Sequence, residues 1–358
     1  MRSRGSDPDG GRTPTIYDVA AASGVAPSTV SRAFSRPGRV NSETAERIRA
    51  VAEQLGYRVN PVARALSTSR TSLIAVVVAD ITNPFFAAII RGVQAGAARS
   101  GYTVLLIDSE ESEAIERDAL IRALPLVDGV VLGSSRLSDS GIRMVAKQRP
   151  LVVVNRAVSD VPSVVIDNRG GARSVLAHLA GLGHERVTYL AGPEASWPDG
   201  VRWRALRELA GDFGVRVQRR GPFSPTIGGG VRAAEVLLQH PASAVITYND
   251  QVAIGVMKRL AQLGARIPLN VSVVGFDNIV PAELVTPGLT TVEAPLYAQG
   301  MTAVRNLLAS IGGARLRTGR PVVLPTRLVV RGSTAPPGRY DPAAWAIPAE
   351  GTDLSLVP

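Results

Sequence analysis

The sequence predicts a two-part protein: a small all-α headpiece, then an α/β core of doubly wound parallel sheets. Three observations carry this. Between Thr15 and Leu55 apolar residues recur at helical spacing. From Leu73 onward continuous β-branched runs alternate with helical segments, as in parallel strands buried on both faces. Positive charge gathers at the start: residues 1–70 hold 11 arginines against 6 acidic residues, half of the net +10 on a fifth of the 358 residues.

Residues 1–14 are rich in Gly, Asp, Arg and Pro and read as a disordered tail. Ile16, Val19 and Ala20 then place one apolar face on a first helix. Gly24 supplies the positive φ of a tight turn, and Pro27 opens a second helix where its missing N–H costs nothing. Val30 and Phe34 point that helix inward, leaving Ser28, Thr29, Ser31 and Arg32 outside. In a helix-turn-helix this outer face meets base edges in the major groove. Asn41 caps a third helix, roughly 42–55, with Ile48, Val51, Ala52 and Leu55 as its inward stripe and Gly56 as its stop.

Residues 60–71 differ in kind. Asn60-Pro61 offers a cap and an N1 proline for one or two turns through Leu66, a length that is marginal without something to pack on. The core strands follow at 73–80, 103–108, 129–134, 151–156, 163–168, 186–192, 243–250 and 272–278. Helices are expected near 85–100, 113–124, 170–182, 200–213, 228–239 and 251–263. Ligands of such sheets bind beyond the carboxyl ends of the strands. Polar or aromatic residues stand there: Asp80 with Phe85 and Phe86, Asn155-Arg156, Asn249-Asp250 and Asp277-Asn278. Arg202 opens a helix after the GPEASWPDG loop, and Trp197 and Trp203 beside it suit either ring stacking or a subdomain interface. Gly228-Gly229-Gly230 follows a loop and reads as freedom at a helix start.

The chain has no cysteine, which excludes disulfides, thiolate metal sites and cysteine nucleophiles. His178, His184 and His240 stand at no metal-ligand spacing, so no metal or other cofactor is expected. No apolar run spans a bilayer, and MRSRGSDPDGGR lacks the apolar stretch of a secretory signal, which points to the cytoplasm. No strand runs into G-x-G-x-x-G or a P-loop, and no Ser/His/Asp or paired-carboxylate set stands out, so an enzyme is not expected.

Asp18-Val19-Ala20, Ser23-Gly24-Val25 and Thr29-Val30-Ser31-Arg32 resemble the DNA-binding headpiece of the lactose-repressor (LacI/GalR) family of bacterial transcription regulators. Further similar phrases run in order to about Thr334: D-x-x-N-P-F-F from Asp80, VDGVVL, LAGP, ND-x-x-A-x-G from Asn249, SVVGFDN and LTTV. The resemblance implies a helix-turn-helix domain over 15–59, a hinge helix and linker over 60–71, and a periplasmic-binding-protein-like core over 72–334. That core would be two Rossmann-like subdomains, 72–166 plus 296–322 and 167–295 plus 323–334, before a flexible tail at 335–358. It implies DNA contacts at Thr15, Tyr17, Pro27, Ser28, Thr29, Ser31 and Arg32, with Ala63 and Leu66 at the minor groove, Leu66 as an apolar wedge. It implies effector contacts at Asp80, Phe85, Phe86, Asn155, Arg202, Phe223 and Asp277.

The chain departs from the family at Ala26, where a capping serine is usual, at Val59, where a proline is common, and at Ala205, where a glycine is common. The expected function is sequence-specific repression by a homodimer on a pseudo-palindromic operator, controlled by a sugar or related polyol that an acid (Asp277) and a forked base (Arg202) would hold. A purine fits less well, since Ser196 and Pro198 stand where purine-responsive members carry an arginine and a threonine. The tail from Ala335 has no heptad repeat, so a coiled-coil tetramer is not expected. Two alternatives remain at this point: a regulator with a non-sugar co-repressor, and a solute-binding module with no DNA-binding role.

Overall fold

The computed structural model describes residues 13–35, 38–58 and 70–338. They form two compact units that part between Ser72 and Leu73.

In the first unit α1 (Ile16–Ser23), α2 (Pro27–Ser35) and α3 (Ser42–Gln54) enclose a small core of Val19, Ala20, Val30, Ala33, Ala45, Ile48 and Ala52. The Asp18 carboxylate accepts both the backbone N–H and the hydroxyl of Thr15, which ties down the start of α1. Gly24 ends α1 at φ 67°, and Val25 N–H closes onto the Ala20 carbonyl. α2 starts behind Ala26, which offers the helix no side-chain cap. Asn41 Oδ1 accepts the Glu43 N–H at 3.0 Å and caps α3. One expectation fails: Leu55 is exposed, because the helix ends at Gln54 and its last turn rotates that side chain outward.

The second unit contains two six-stranded sheets. The first has strand order β11-β5-β4-β3-β1-β2. Its strands are β1 (Leu73–Val78), β2 (Thr103–Asp108), β3 (Gly129–Gly133), β4 (Leu151–Val154), β5 (Ser163–Ile166) and β11 (Val322–Leu324), all parallel. The second has order β12-β10-β9-β8-β6-β7. It is built from β6 (Arg186–Leu190), β7 (Arg216–Arg220), β8 (Ala244–Thr247), β9 (Ser272–Asp277), β10 (Thr290–Glu293) and β12 (Arg327–Val329), with only β12 antiparallel.

The inner strands are those with continuous apolar runs. Strands β7, β10, β11 and β12 were not among those expected, whereas the edge strand β2 was. β7 reads RVQRR, and its arginines protect an edge rather than fill a core. β10, β11 and β12 are only three or four residues long. The expected crossing between residues 322 and 323 falls inside β11. That strand stays in the first sheet to Leu324, and the chain crosses at Pro325 and Thr326.

Helices α4 (Pro84–Arg99), α5 (Glu113–Ala123), α6 (Asp139–Gln148) and α12 (Leu296–Ile311) belong with the first sheet. Helices α7 (Asn168–Gly181), α8 (Trp197–Leu209), α9 (Ile227–Gln239), α10 (Asp250–Gln262) and the short α11 (Val280–Leu284) belong with the second. In each half one helix pair crosses at glycines. A Cβ on Gly255 would stand 2.1 Å from the Ile227 carbonyl, and one on Gly230 2.2 Å from the Val252 carbonyl. Gly92 and Gly300 make the matching approach between α4 and α12. Gly230 is therefore a contact surface, not merely a permissive helix start.

Substituting Gly255 by Ala should cost about 1–3 kcal/mol through overpacking. The urea midpoint should fall with an unchanged slope.

Candidate functional site

The carboxyl ends of the strands of both sheets face one narrow cavity with about 20 Å³ of free volume, room for roughly one water. Phe85, Phe86, Glu111, Ser134, Arg136 and Asn155 line it from the first sheet, with Asn83 at the cap of α4. Arg202, Pro225, Tyr248, Asn249 and Asp277 line it from the second.

Arg202 organises the second half. It is the bulkiest of the fully buried side chains, 2% exposed. Its Nε donates to Asn168 Oδ1 at 2.8 Å, one Nη to the Tyr248 carbonyl, and the other to Asp277 Oδ1 at 3.5 Å. The guanidinium lies over the Phe276 ring at 4.3 Å and the Tyr248 ring at 5.5 Å. Its helix, α8, is positioned by its cap: Ser196 Oγ accepts from the Asp199 N–H and shares a 2.9 Å hydrogen bond with the Tyr248 hydroxyl. Asp199 is buried and accepts from the Tyr189 hydroxyl, the Gly192 N–H and Arg219.

Asp277 ends β9 with φ 110°, in a region that side chains rarely occupy. Burial pushes its carboxyl up to about 7, because the long contact with Arg202 offsets only part of the lost hydration. Behind it Asp250 is wholly buried, accepting from Thr291 Oγ1 at 2.6 Å and from the Ile279 N–H at 2.9 Å. Burial and the neighbouring Asp277 charge raise Asp250 well above the carboxylate range. The pair therefore carries well under two negative charges at neutral pH.

In the first half, Asn155 Nδ2 donates to Ser134 Oγ at 2.9 Å, and its buried Oδ1 has no hydrogen-bond partner. A buried acceptor left open into a cavity suits a ligand N–H or O–H. Phe85 and Phe86 meet edge to face at 5.0 Å and form an apolar wall. Arg136 is held from two sides. Its backbone N–H donates to Glu116 Oε2 at 2.8 Å, and its Nε to Glu111 Oε2 at 2.6 Å.

Of the seven residues expected at an effector site, Phe85, Phe86, Asn155, Arg202 and Asp277 come together here. Asp80 and Phe223 are not among the lining residues. The Asp80 carboxylate closes a local turn onto the backbone and hydroxyl of Thr82. Phe223 is half-buried, its N–H on the Ala191 carbonyl and its ring against the core. Trp203 stacks on Tyr189 at 6.2 Å, and neither Trp197 nor Trp203 lines the cavity. Glu111, Arg136, Asn168 and Tyr248 were not expected as site residues. The strand-end rule pointed at their neighbours, but Glu111, Arg136 and Tyr248 sit in turns where a polar residue is ordinary, and Asn168 opens α7.

On the first unit Tyr17 is exposed, as are Ser28 and Arg32, while Pro27, Thr29 and Ser31 are half-buried. Arg32 folds back along α2, donating to the Ser28 carbonyl at 3.1 Å and to Ser28 Oγ at 3.3 Å. Thr15 is engaged by Asp18. The expected hinge helix, with Ala63 and Leu66, lies outside the described residues. Among the described residues no group of three or more His, Asp or Glu side chains could hold a metal ion, and no helix is long and apolar enough to cross a membrane.

Residues 15–60 match the model of the bacterial regulatory proteins of the lacI family, and residues 176–334 match a periplasmic binding protein-like domain. The HTH-type transcriptional repressor CytR of Escherichia coli K12 is 32% identical over 330 residues, 89% of this chain and 96% of that protein. The ribose operon repressor of Halalkalibacterium halodurans is 34% identical over 326 residues, 89% and 97% of the two chains. Among solved structures the lac repressor dimer bound to operator and the anti-inducer ONPF superposes with a TM-score of 0.80 at 25% identity, covering 90% of this chain and all of that one.

The raised Asp277 carboxyl has a stability consequence. Between about pH 4 and 7 the folded chain keeps a proton that the unfolded chain has released, so this group's contribution to stability falls as pH rises through that window and is constant above it. Asn at position 277 stays neutral. The melting temperature of Asp277→Asn relative to wild type should therefore rise by several degrees between pH 5 and pH 8 in calorimetry.

Proposed function

The chain belongs to the lacI family of bacterial regulatory proteins, and on that footing we propose that it represses transcription as a homodimer on a pseudo-palindromic operator. A small neutral polyol, a sugar or a sugar-bearing molecule, bound between the two sheets controls its affinity for that DNA. The observation that carries the ligand half is the Arg202–Asp277 pair at the strand ends, with the unpartnered Asn155 oxygen across the cavity. A fork of donors, a carboxyl and an open acceptor suit the donor-and-acceptor pattern of adjacent hydroxyls.

The DNA half rests on the headpiece match and the arginine-rich N-terminal segment. Ser28, Thr29, Ser31 and Arg32 on α2 are the residues for base reading, and Leu66 is the minor-groove wedge. The effector acts by population shift: it binds one arrangement of the two sheets more tightly, and that arrangement sets the spacing of the two hinges. Relatives named as repressors, one of them for the ribose operon, support this reading. It places the protein in the cytoplasm.

Selection of bound duplexes from a random pool should return a pseudo-palindrome with a flexible central step. Recovery of no consensus, with or without added sugars and nucleosides, would leave only a solute-binding module. On the selected operator, Arg32→Ala should relax base preference by about 1–3 kcal/mol at one position of each half-site. Leu66→Ala should weaken specific binding far more than non-specific binding; equal losses would refute the wedge. Asp277→Ala should bind operator normally yet fail to respond to the effector.

A further inference from the structure

Asp277 and Asn278 stand side by side with φ 110° and 55°, so β9 ends on two side-chain-bearing residues in backbone that favours glycine. Asp277 lines the cavity and Asn278 does not. So strained a turn persists only where its surroundings hold it. Part of the hold comes from α10 and β10. The Ile279 N–H donates to Asp250 Oδ2 at 2.9 Å, and the Asn278 N–H donates to Thr291 Oγ1 at 3.4 Å.

The rest comes from Arg331, two residues past the end of β12 and half-buried. One Nη donates to Asn278 Oδ1 at 2.8 Å, and the other donates to the Leu289 carbonyl at 2.8 Å. The arginine is itself fixed. Its backbone N–H donates to Thr290 Oγ1 at 3.0 Å, and its stem runs along Gly288, where a Cβ would stand 3.2 Å from Arg331 Cδ. A planar fork of donors thus joins the turn after β9 to the residue before β10.

We propose that Arg331 is a positioning residue for the ligand site: its bridge from Leu289 to Asn278 clamps the strained turn that aims Asp277 at Arg202 and into the cavity. The clamp deepens the effector reading of Asp277 and rests on that reading only for its consequence. Arg331 also lies on the segment that carries the crossing between the sheets, where Thr326 Oγ1 donates to the Asp167 carbonyl at 3.0 Å. The seat of the acid is therefore set from behind the cavity, by the strand that leaves the crossing.

Without the clamp the turn relaxes, and the Asp277 carboxyl regains water and titrates at about 4, the usual carboxylate value. Loss of the Arg331 charge alone acts the other way, because removing a cation raises a nearby carboxyl. The other ionisable groups around Asp277, which are Arg202, Asp250 and Tyr248, stay in place.

Calorimetry on the full chain, with no ligand or DNA added, reads the difference. In the wild-type background Asp277→Asn gains several degrees on its parent between pH 5 and pH 8. In an Arg331→Met background, and separately in an Asn278→Ala background, that gain should vanish, since a carboxyl with an ordinary value binds no extra proton in the folded chain above pH 5. Gly92→Ala, which overpacks α4 against α12 in the first half, controls for mere loss of stability and should leave the gain intact. A gain that persists or grows in either clamp variant would overturn the proposal. So would its loss in Gly92→Ala, or its absence from the wild-type background. Should one clamp variant fail to fold, the other decides. A chain that binds neither sugar nor operator would refute the proposed function and leave the clamp to be judged on the melting temperatures.

Discussion

The core depends on burying one guanidinium. Arg202 sits on the inward face of α8, and a charge so deep is tolerated only when its donors are met. Each acceptor comes from a different element. Asn168 is the first residue of α7, Tyr248 offers its carbonyl where β8 ends, and Asp277 closes β9. Phe276 and Tyr248 present ring faces rather than aliphatic surface to the cation. Moving any of these strand or helix ends would leave a donor unsatisfied, so the geometry of the second sheet and the chemistry of the cavity are one constraint. The same burial raises Asp277, since a carboxyl 3.5 Å from its partner gains less from the pair than it loses in hydration.

Backbone strain marks the same places. Glu111, Ser134, Asn155, Asp277 and Asn278 all have positive φ, and all but Asn278 line the cavity. Glycine would relieve each position, yet each carries a polar side chain. The fold accepts the cost of order 1–3 kcal/mol per residue because the strained conformation turns a side chain from the sheet end into the cavity. Asn155 illustrates the outcome: at φ 63° its amide reaches Ser134 while its oxygen is left buried and open.

Much of this was legible in the sequence, and the failures have physical causes. Runs such as LIAVVV and SVVI need apolar atoms on both faces, so the inner strands announce themselves. The edge strand β7 does not, although β2 at the edge of the first sheet does. RVQRR has one covered face and an exposed flank, which composition cannot separate from a loop. Asp277 was legible inside the SVVGFDN phrase, and Arg202 as the base that opens a helix after the GPEASWPDG loop. Arg136 and Tyr248 were not, because they reach the cavity from turns 112 positions apart in which neither residue type is unusual. Asp80 shows the converse: an acid at a strand end invites a ligand reading, but here one oxygen of its carboxylate closes the next turn onto Thr82.

The two halves of the cavity divide the energetic task. Arg202 and Asp277 belong entirely to the second sheet, so a ligand that touched only them would bind alike whatever the first sheet did, and equal affinity for two states shifts no population. Control requires contacts that exist in one arrangement and not in the other. Those contacts come from the first sheet: the Asn155 oxygen, the Phe85–Phe86 wall and the free edge of Arg136. A full switch from about 1:99 to 99:1 needs roughly 5.5 kcal/mol of differential binding. Two hydrogen bonds, at the Asn155 oxygen and the Arg136 edge, supply about 3 kcal/mol of it at about 1.5 kcal/mol each, and burial against the Phe85–Phe86 wall must supply the rest. On the proposed function, the residues that decide whether the ligand is sensed are therefore those of the first sheet, and the acid–base pair is only its seat.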